Sequence, residues 1–222
     1  SIAGIALHAY DTSDGGRAAD ITFRTVRLDA ASRLDEEDAR SCLHRVLTEG
    51  IVARCWSATG TMQAALEQTT DYVRQRHQFG RSLAEFQVVQ HRLAEMAVLC
   101  TEAQAACELG ALSLASATAA ECRTVAGLVK NKVARTARHV SQDCVQLHGA
   151  MGVCEELPIA SAFRTLMAFS QWGGDGASHA VVVGRALLAD GGFARSRTLG
   201  LPRSPSWEPV VQAITNIAET VP

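Results

Sequence analysis

Residues 120–152 run AECRTVAGLVKNKVARTARHVSQDCVQLHGAMG. Up to residue 148 the apolar positions Leu128, Val129, Val133, Val140, Cys144 and Leu147 return with the period of an α-helix, which predicts a helix over about 120–148. The glycine-punctuated run Gly149-Ala-Met-Gly152 then stops it. Working outward, Val89, Leu93, Met96, Ala97 and Cys100 share one face of a second helix expected over about 83–117. Leu43, Val46, Leu47, Ile51, Cys55, Met62 and Leu66 mark another from about Asp35 to Arg76–Gly80. A fourth helix is expected from Pro158 to about Ser170, and a fifth from Gly176 to Leu188, before the Asp190-Gly-Gly192 stop. All five prolines lie at 158 or beyond, so nothing breaks the first three helices, where each proline would cost about 3 kcal/mol. Long helices joined by short polar loops predict a mainly α fold, an antiparallel bundle of the four-helix type.

The N-terminal segment differs. Residues 2–9 are small and apolar, and residues 20–28 alternate, with Ile21, Phe23, Val26 and Leu28 apolar. Turn residues Asp11–Arg17 lie between, so two strands are expected, with a bulge or strand end where the alternation slips at Thr25. Two strands alone are marginal in water and imply a larger sheet. The expected division is residues 1–34 as part of a β-domain, 35–192 as the bundle, and 193–222 as a tail with a short helix over 207–219.

Composition narrows the function classes. With 222 residues, 47% hydrophobic and 20% charged, the chain can bury a core and is not a disordered polymer. A net charge of −2 supplies no basic field for nucleic acid or an anionic membrane, and no apolar run approaches a membrane span. Seven scattered cysteines without a CxxC suit reduced, mostly buried thiols in a cytoplasmic setting. Lys130 and Lys132 are the only lysines among 21 basic residues, a bias that carries no functional reading here.

Three places stand out chemically. Arg76-His-Gln-Phe-Gly80 puts a guanidinium fork, suited to phosphate oxygens, at a helix end, where cations also sit simply to balance the helix dipole. Gln146-Leu-His-Gly-Ala-Met-Gly152 lets backbone approach a ligand, and is equally a helix cap. Trp172-Gly-Gly-Asp-Gly176 could present helix N–H groups to an anion, or serve as a connector. The i, i+4 pairs His91/Glu95, His139/Asp143 and Cys144/His148 lack a convergent third ligand, so no metal is expected.

Taken together these pieces resemble the C-terminal half of the acyl-CoA dehydrogenases, over roughly residues 17–190. The matching stretches are Ala19-Asp-Ile-Thr-Phe-Arg-Thr-Val-Arg-Leu28, Tyr72-Val-Arg-Gln-Arg-His-Gln-Phe-Gly80 with Leu83-Ala-Glu-Phe-Gln87, Val145-Gln-Leu-His-Gly149 with Met151-Gly152, and Leu157-Pro158 with Arg164. The resemblance implies an FAD flavoprotein acting on an acyl-CoA, as in fatty acid or steroid side-chain β-oxidation. It also implies assembly as dimers or dimers of dimers, and electrons passed on to an external acceptor. It implies that Arg76 pairs with the pyrophosphate of a neighbour's FAD, that Phe79 flanks the same cofactor, and that Gln146 with the backbone at His148–Gly149 holds the adenosine side. The N-terminal helical domain and most of the β-domain are then expected to lie outside these 222 residues.

Departures from the family's pattern are as informative. The glutamate that removes the α-proton falls on Gly173, in a turn that reads Trp172-Gly-Gly-Asp175. The position some members use instead, on the first bundle helix, is Gly50. Ala150 replaces the second of two paired glycines, and the usual Arg-Asp pair reads Arg164-Thr165. A positioned base is worth about 10²–10⁴-fold, and glycine cannot supply one. The expectation is a base-less subunit of a heteromeric acyl-CoA dehydrogenase, its partner carrying the base. The other readings are a self-sufficient enzyme using Glu49 or Asp175, and a non-enzymatic helical interaction module.

Overall fold

The computed structural model describes residues 4–32 and 39–189. A hairpin of β1 (Ile5–Asp11) and β2 (Arg17–Phe23) is followed by five helices: α1 (Ala39–Gln75), α2 (Gln87–Ser116), α3 (Ala119–His148), α4 (Pro158–Gln171) and α5 (Gly176–Ala189). Between α1 and α2 lies a second, minimal hairpin of β3 (His77–Gln78) and β4 (Arg81–Ser82). The expected tail helix over 207–219 lies outside the described residues.

Contacts between side chains fix the directions. Gln63 donates to Gln104 at 3.0 Å and Thr59 meets Cys107 at 3.5 Å, so α2 runs antiparallel to α1. Arg92 pairs with Asp143 and Cys122 Sγ donates to Ser113 O, so α3 runs back along α2. Asn131 donates to Gly176 O while Gly127 packs on Val183, which sets α5 antiparallel to α3. α3 therefore touches α1, α2, α4 and α5 at once. That central position explains its buried Val125, Val129, Val133, Val140 and Cys144, and also its small Ala126, Gly127, Ala134 and Ala137, which admit neighbours on every side. Each fully buried Val, Leu, Ile or Phe contributes roughly 1.5–3 kcal/mol, and Phe169, Ile159 and Leu166 of α4 complete the same core.

Helix ends follow local chemistry. Thr118 and Glu121 form a reciprocal capping box at the start of α3, and Pro158 begins α4, where a missing N–H costs nothing. Ser82 Oγ reaches the last carbonyls of α1, 2.9 Å from Val73 O and 3.1 Å from Arg74 O, so the β3–β4 hairpin is tied to the helix it follows.

Two expectations are corrected. The second strand spans Arg17–Phe23 rather than 20–28, because the turn closes over Thr12–Gly16 and Thr25 takes a positive φ of 47°. Leu43, Val46 and Leu47 keep helical spacing but are exposed, since burial along α1 begins at Thr48. Leu7, Tyr10, Ile21 and Phe23 of the first hairpin are exposed as well. Five of the seven cysteines are buried, and burial pushes the Cys55 thiol up to about 12 and Cys100 up to about 11, far from thiolate chemistry. No helix among the described residues is long and apolar enough to cross a membrane.

Candidate functional site

Two ends of the bundle hold the residues singled out by sequence. At the first end, α1 and α3 finish side by side. The Tyr72 ring stacks on His148 with centroids 4.2 Å apart, and its hydroxyl donates to His148 O at 3.3 Å. Tyr72 is one turn before Arg76, whose N–H donates to Tyr72 O. The arginine block and the Gln146–Gly149 block are thus brought to one place by a half-buried aromatic contact. His148 itself is buried, with Nδ1 2.9 Å from Cys144 O and its carbonyl taken by Tyr72, so it is structural and the open backbone begins at Gly149. Gly149 has φ 62°, ψ −138°, and a Cβ there would meet nothing within 4 Å, so its backbone faces open space. Gln146 is exposed on the last turn of α3.

The hairpin beside them displays Phe79. Its two central residues, Phe79 and Gly80, have φ of 56° and 79°, the paired left-handed backbone of a tight hairpin turn. A bulky residue is rarely held there, and Phe79 is 90% exposed. Phe86 meets its edge at 6.3 Å, and the Arg81 guanidinium lies 4.0 Å over the Phe86 ring. Arg76 is exposed and forms no ion pair with a described residue. A free guanidinium, a displayed aromatic ring and an open glycine backbone suit the diphosphate and adenosine of a dinucleotide.

The second end is the α4–α5 turn. Gly173 and Gly174 have φ of 66° and 99°. Lys130, fully buried on α3, donates to Phe169 O at 2.5 Å and sits 3.9 Å over the Phe169 ring. Asn131 donates to Gly176 O at 2.7 Å, and His179 Nε2 lies 3.0 Å from Gly173 O. Burial, with repulsion from Arg54, holds the Lys130 ammonium down at about 8. From α1, Ile51 is the one near neighbour of a Cβ placed at Gly173, at 3.7 Å, and Arg54 lies 5.3 Å over the Trp172 ring. So Gly50 and Gly173 belong to one patch.

Neither alternative carboxylate serves that patch. Asp175 accepts from Ser178 N at 2.9 Å and thereby caps α5, putting a carboxylate of the chain itself at that helix terminus. Those hydrogen bonds hold it below the usual carboxylate range, which makes it a poor base. Glu49 pairs with Arg45 at 3.2 Å, and two residues before Ile51 it stands about 200° round the helix from the Gly173 contact. Arg164 is held bidentately by Glu155, at 2.6 and 2.9 Å. His139 lies between Glu95 and Asp143 at 3.7 and 3.6 Å, and no group of three ligating side chains is gathered among the described residues.

Sequence reasoning missed Arg54, Lys130 and Asn131. The one signal available was the rarity of lysine, because a chain built on arginine that keeps a lysine mid-helix is using its compact ammonium.

Comparison with known proteins settles the family. The description "Acyl-CoA dehydrogenase, C-terminal domain" matches residues 41–188, most of the described bundle. The chain belongs to the acyl-CoA dehydrogenase family. It is 30% identical over 171 residues to a probable acyl-CoA dehydrogenase, FadE2, of Mycobacterium tuberculosis, covering 77% of this chain and 42% of that protein. To the mitochondrial long-chain specific acyl-CoA dehydrogenase of Sus scrofa it is 30% identical over 187 residues, covering 84% of this chain and 42% of the relative. Among solved structures, the ChsE4–ChsE5 complex from Mycobacterium tuberculosis superposes with a TM-score of 0.74 at 25% identity, over 84% of this chain and 50% of that one. The chain thus spans less than half the length of the curated relatives it matches. Within this acyl-CoA dehydrogenase domain the helical architecture expected from the sequence is the one observed.

Proposed function

We propose that this chain is a subunit of an acyl-CoA dehydrogenase-type flavoenzyme that desaturates an acyl-CoA thioester between Cα and Cβ, contributing the nucleotide side of an FAD site and no base. The observation that carries this reading is the asymmetry between the two ends. Arg76, Phe79, Gln146 and Gly149 are exposed or open at one end. At the other, the two positions suited to a base are both glycine, and Asp175 and Glu49 are engaged elsewhere.

In this reading the Arg76 guanidinium pairs with the diphosphate, Phe79 covers one side of the cofactor, and Gln146 with the His148–Gly149 backbone holds the adenosine of a neighbouring subunit's FAD. FAD, when bound, supplies the hydride acceptor. The base and the productive acyl pocket belong to a partner subunit, in a dimer or dimer of dimers, and an electron-transfer acceptor completes the cycle. The ChsE4–ChsE5 likeness supports a heteromeric arrangement. Buried free thiols support a reducing, cytoplasmic setting.

The test is co-purification of the full-length protein with a base-bearing partner, followed by flavin absorbance. Arg76→Met should weaken FAD retention about 10- to 100-fold, the worth of one charge-assisted pair, while leaving thermal unfolding unchanged because the side chain is exposed. A fully active homomer would overturn the base-less assignment, and a partner-complete protein without flavin would leave the interaction-module reading standing. Asp175→Asn and Glu49→Gln should each keep turnover within about twofold of wild type, against the 10²–10⁴-fold loss that removing a true base brings.

A further inference from the structure

We infer that the outer face of α5 is the docking site of residues 207–219 of the same chain, laid along it as an amphipathic helix. α5 buries one residue, Val183, which packs on Gly127 of α3. On the side turned from α3, Ala177, Val181, Gly184 and Leu188 recur at i, i+4, i+7 and i+11 and form a continuous apolar stripe. Val181 and Leu188 are 52% and 85% exposed, and a Cβ at Gly184 would meet nothing within 4 Å. An apolar stripe of this length facing water marks a surface that something covers.

The chain supplies a matching surface. In residues 207–219, which lie outside the described residues, helical spacing puts Trp207, Val210, Val211, Ile214, Ile217 and Ala218 on one face. Glu208, Gln212, Asn216 and Glu219 fall on the other. Pro209 lies in the first turn of such a helix, where proline is tolerated. Thirteen helical residues extend about 20 Å and the 14 of α5 about 21 Å, so the two apolar stripes are equal in length. Residues 190–206 connect them, and at about 3.3 Å per residue they span up to about 56 Å, enough to return along α5 in either direction.

Charge agrees with apolarity. Arg185 is exposed beside the stripe on α5, a helix without a carboxylate, and the groove of about 530 Å³ that Ala177 and Ala180 share with α3 is lined by Arg135 and Arg138. None of the three arginines forms an ion pair with a described residue. Asp175, the acid of that groove, is spent on Ser178 N, and His139 on its wall lies toward Glu95 and Asp143. The only charged side chains of the segment are Glu208 and Glu219, so an acidic amphipathic helix meets an apolar stripe bordered by cations. Other exposed apolar groups fit less well. Leu43, Val46 and Leu47 cover little more than one turn of α1, and Val88, Val98 and Leu112 share α2 with Glu95, Glu102 and Glu108.

Amide hydrogen exchange of the full-length protein tests this without flavin or acyl-CoA. Residues 210–218 should exchange about 10-fold or more slowly than in a free peptide of residues 207–219, and equally so after about tenfold dilution. Val181→Asp combined with Leu188→Asp, both at exposed positions, should return them to within about twofold of the peptide while α1 to α3 keep their protection. Reciprocally, Ile214→Asp should speed exchange within α5 about threefold or more, although residue 214 is not part of that helix. Peptide-like exchange in the wild type overturns the inference, as does protection that survives the paired α5 substitutions. Protection that fades on dilution overturns it by placing the segment on a second copy, and protection seen only with a partner subunit present overturns it by placing the segment on the partner.

Discussion

Gly152→Ala should lower stability by about 2–4 kcal/mol and loosen the end of the bundle where Tyr72 stacks on His148. A Cβ at residue 152 would lie 2.6 Å from Val145 O, 2.9 Å from Val145 Cα and 3.1 Å from His148 Cβ. Two of these are backbone atoms of α3, so no rotamer change relieves the clash. The short 3₁₀ segment Gly149–Val153 must lift off the helix, and His148, which stacks on Tyr72, is carried with it. For a chain of this size the change corresponds to a fall in unfolding midpoint of order 10 °C. In the proposed reading FAD retention should weaken too, although residue 152 itself is buried and presents no side chain. Gly149→Ala is the control: its Cβ meets nothing, so its smaller cost comes from the positive φ alone, about 1–3 kcal/mol. If Gly152→Ala proves as stable as wild type, the turn is not packed as described.

That contrast shows what sequence can and cannot disclose. The run Gly149-Ala-Met-Gly152 marks a helix end on inspection, because glycine is the residue that ends helices. It does not say that one glycine serves backbone conformation and the other close packing, since that depends on where Val145 O lies. The helices were legible for similar local reasons. Period and proline placement fixed α2 to α5 to within a few residues, and Pro158 marks the start of α4. β2 was harder, because alternation continues past Phe23 in the letters while the hydrogen-bonded pairing with β1 stops there. The exposed Leu43, Val46 and Leu47 show the same limit: helical spacing reports a face, not whether anything covers it.

The end that holds Arg76 and Gln146 was readable as two motifs, and their meeting through Tyr72 and His148 was not, because residues 76 apart in sequence come together only when α1 and α3 lie parallel. At the other end Gly50 and Gly173 were readable as glycines where the resemblance implies a base. The groups that occupy its surroundings were hidden, because an arginine or lysine inside a helix is ordinarily a solvated side chain. Lys130 is buried beneath Phe169, and the half-buried Arg54 has only its Nε enclosed, beside Trp172.

Lys130 gives the pH test of that enclosure. Its folded-state value is about 8 against 10.5 for the free side chain, chiefly because burial penalises the ammonium. Below pH 8 both folded and unfolded chains carry the proton, and the penalty is constant. Between pH 8 and 10.5 the folded protein releases it while the unfolded chain keeps it. The unfolded state then binds more protons, so stability rises with pH across that window, by roughly 3 kcal/mol in all, and levels off above it. Lys130→Met fills similar volume and cannot titrate, so the difference in unfolding free energy between wild type and variant isolates the effect. That difference should shift toward wild type from pH 8 to 10.5. The neutral amine still donates to Phe169 O, so the α4–α5 turn should hold its place throughout. A flat difference would mean that the ammonium is solvated or paired, and a shift toward the variant would mean that an anion holds the proton on.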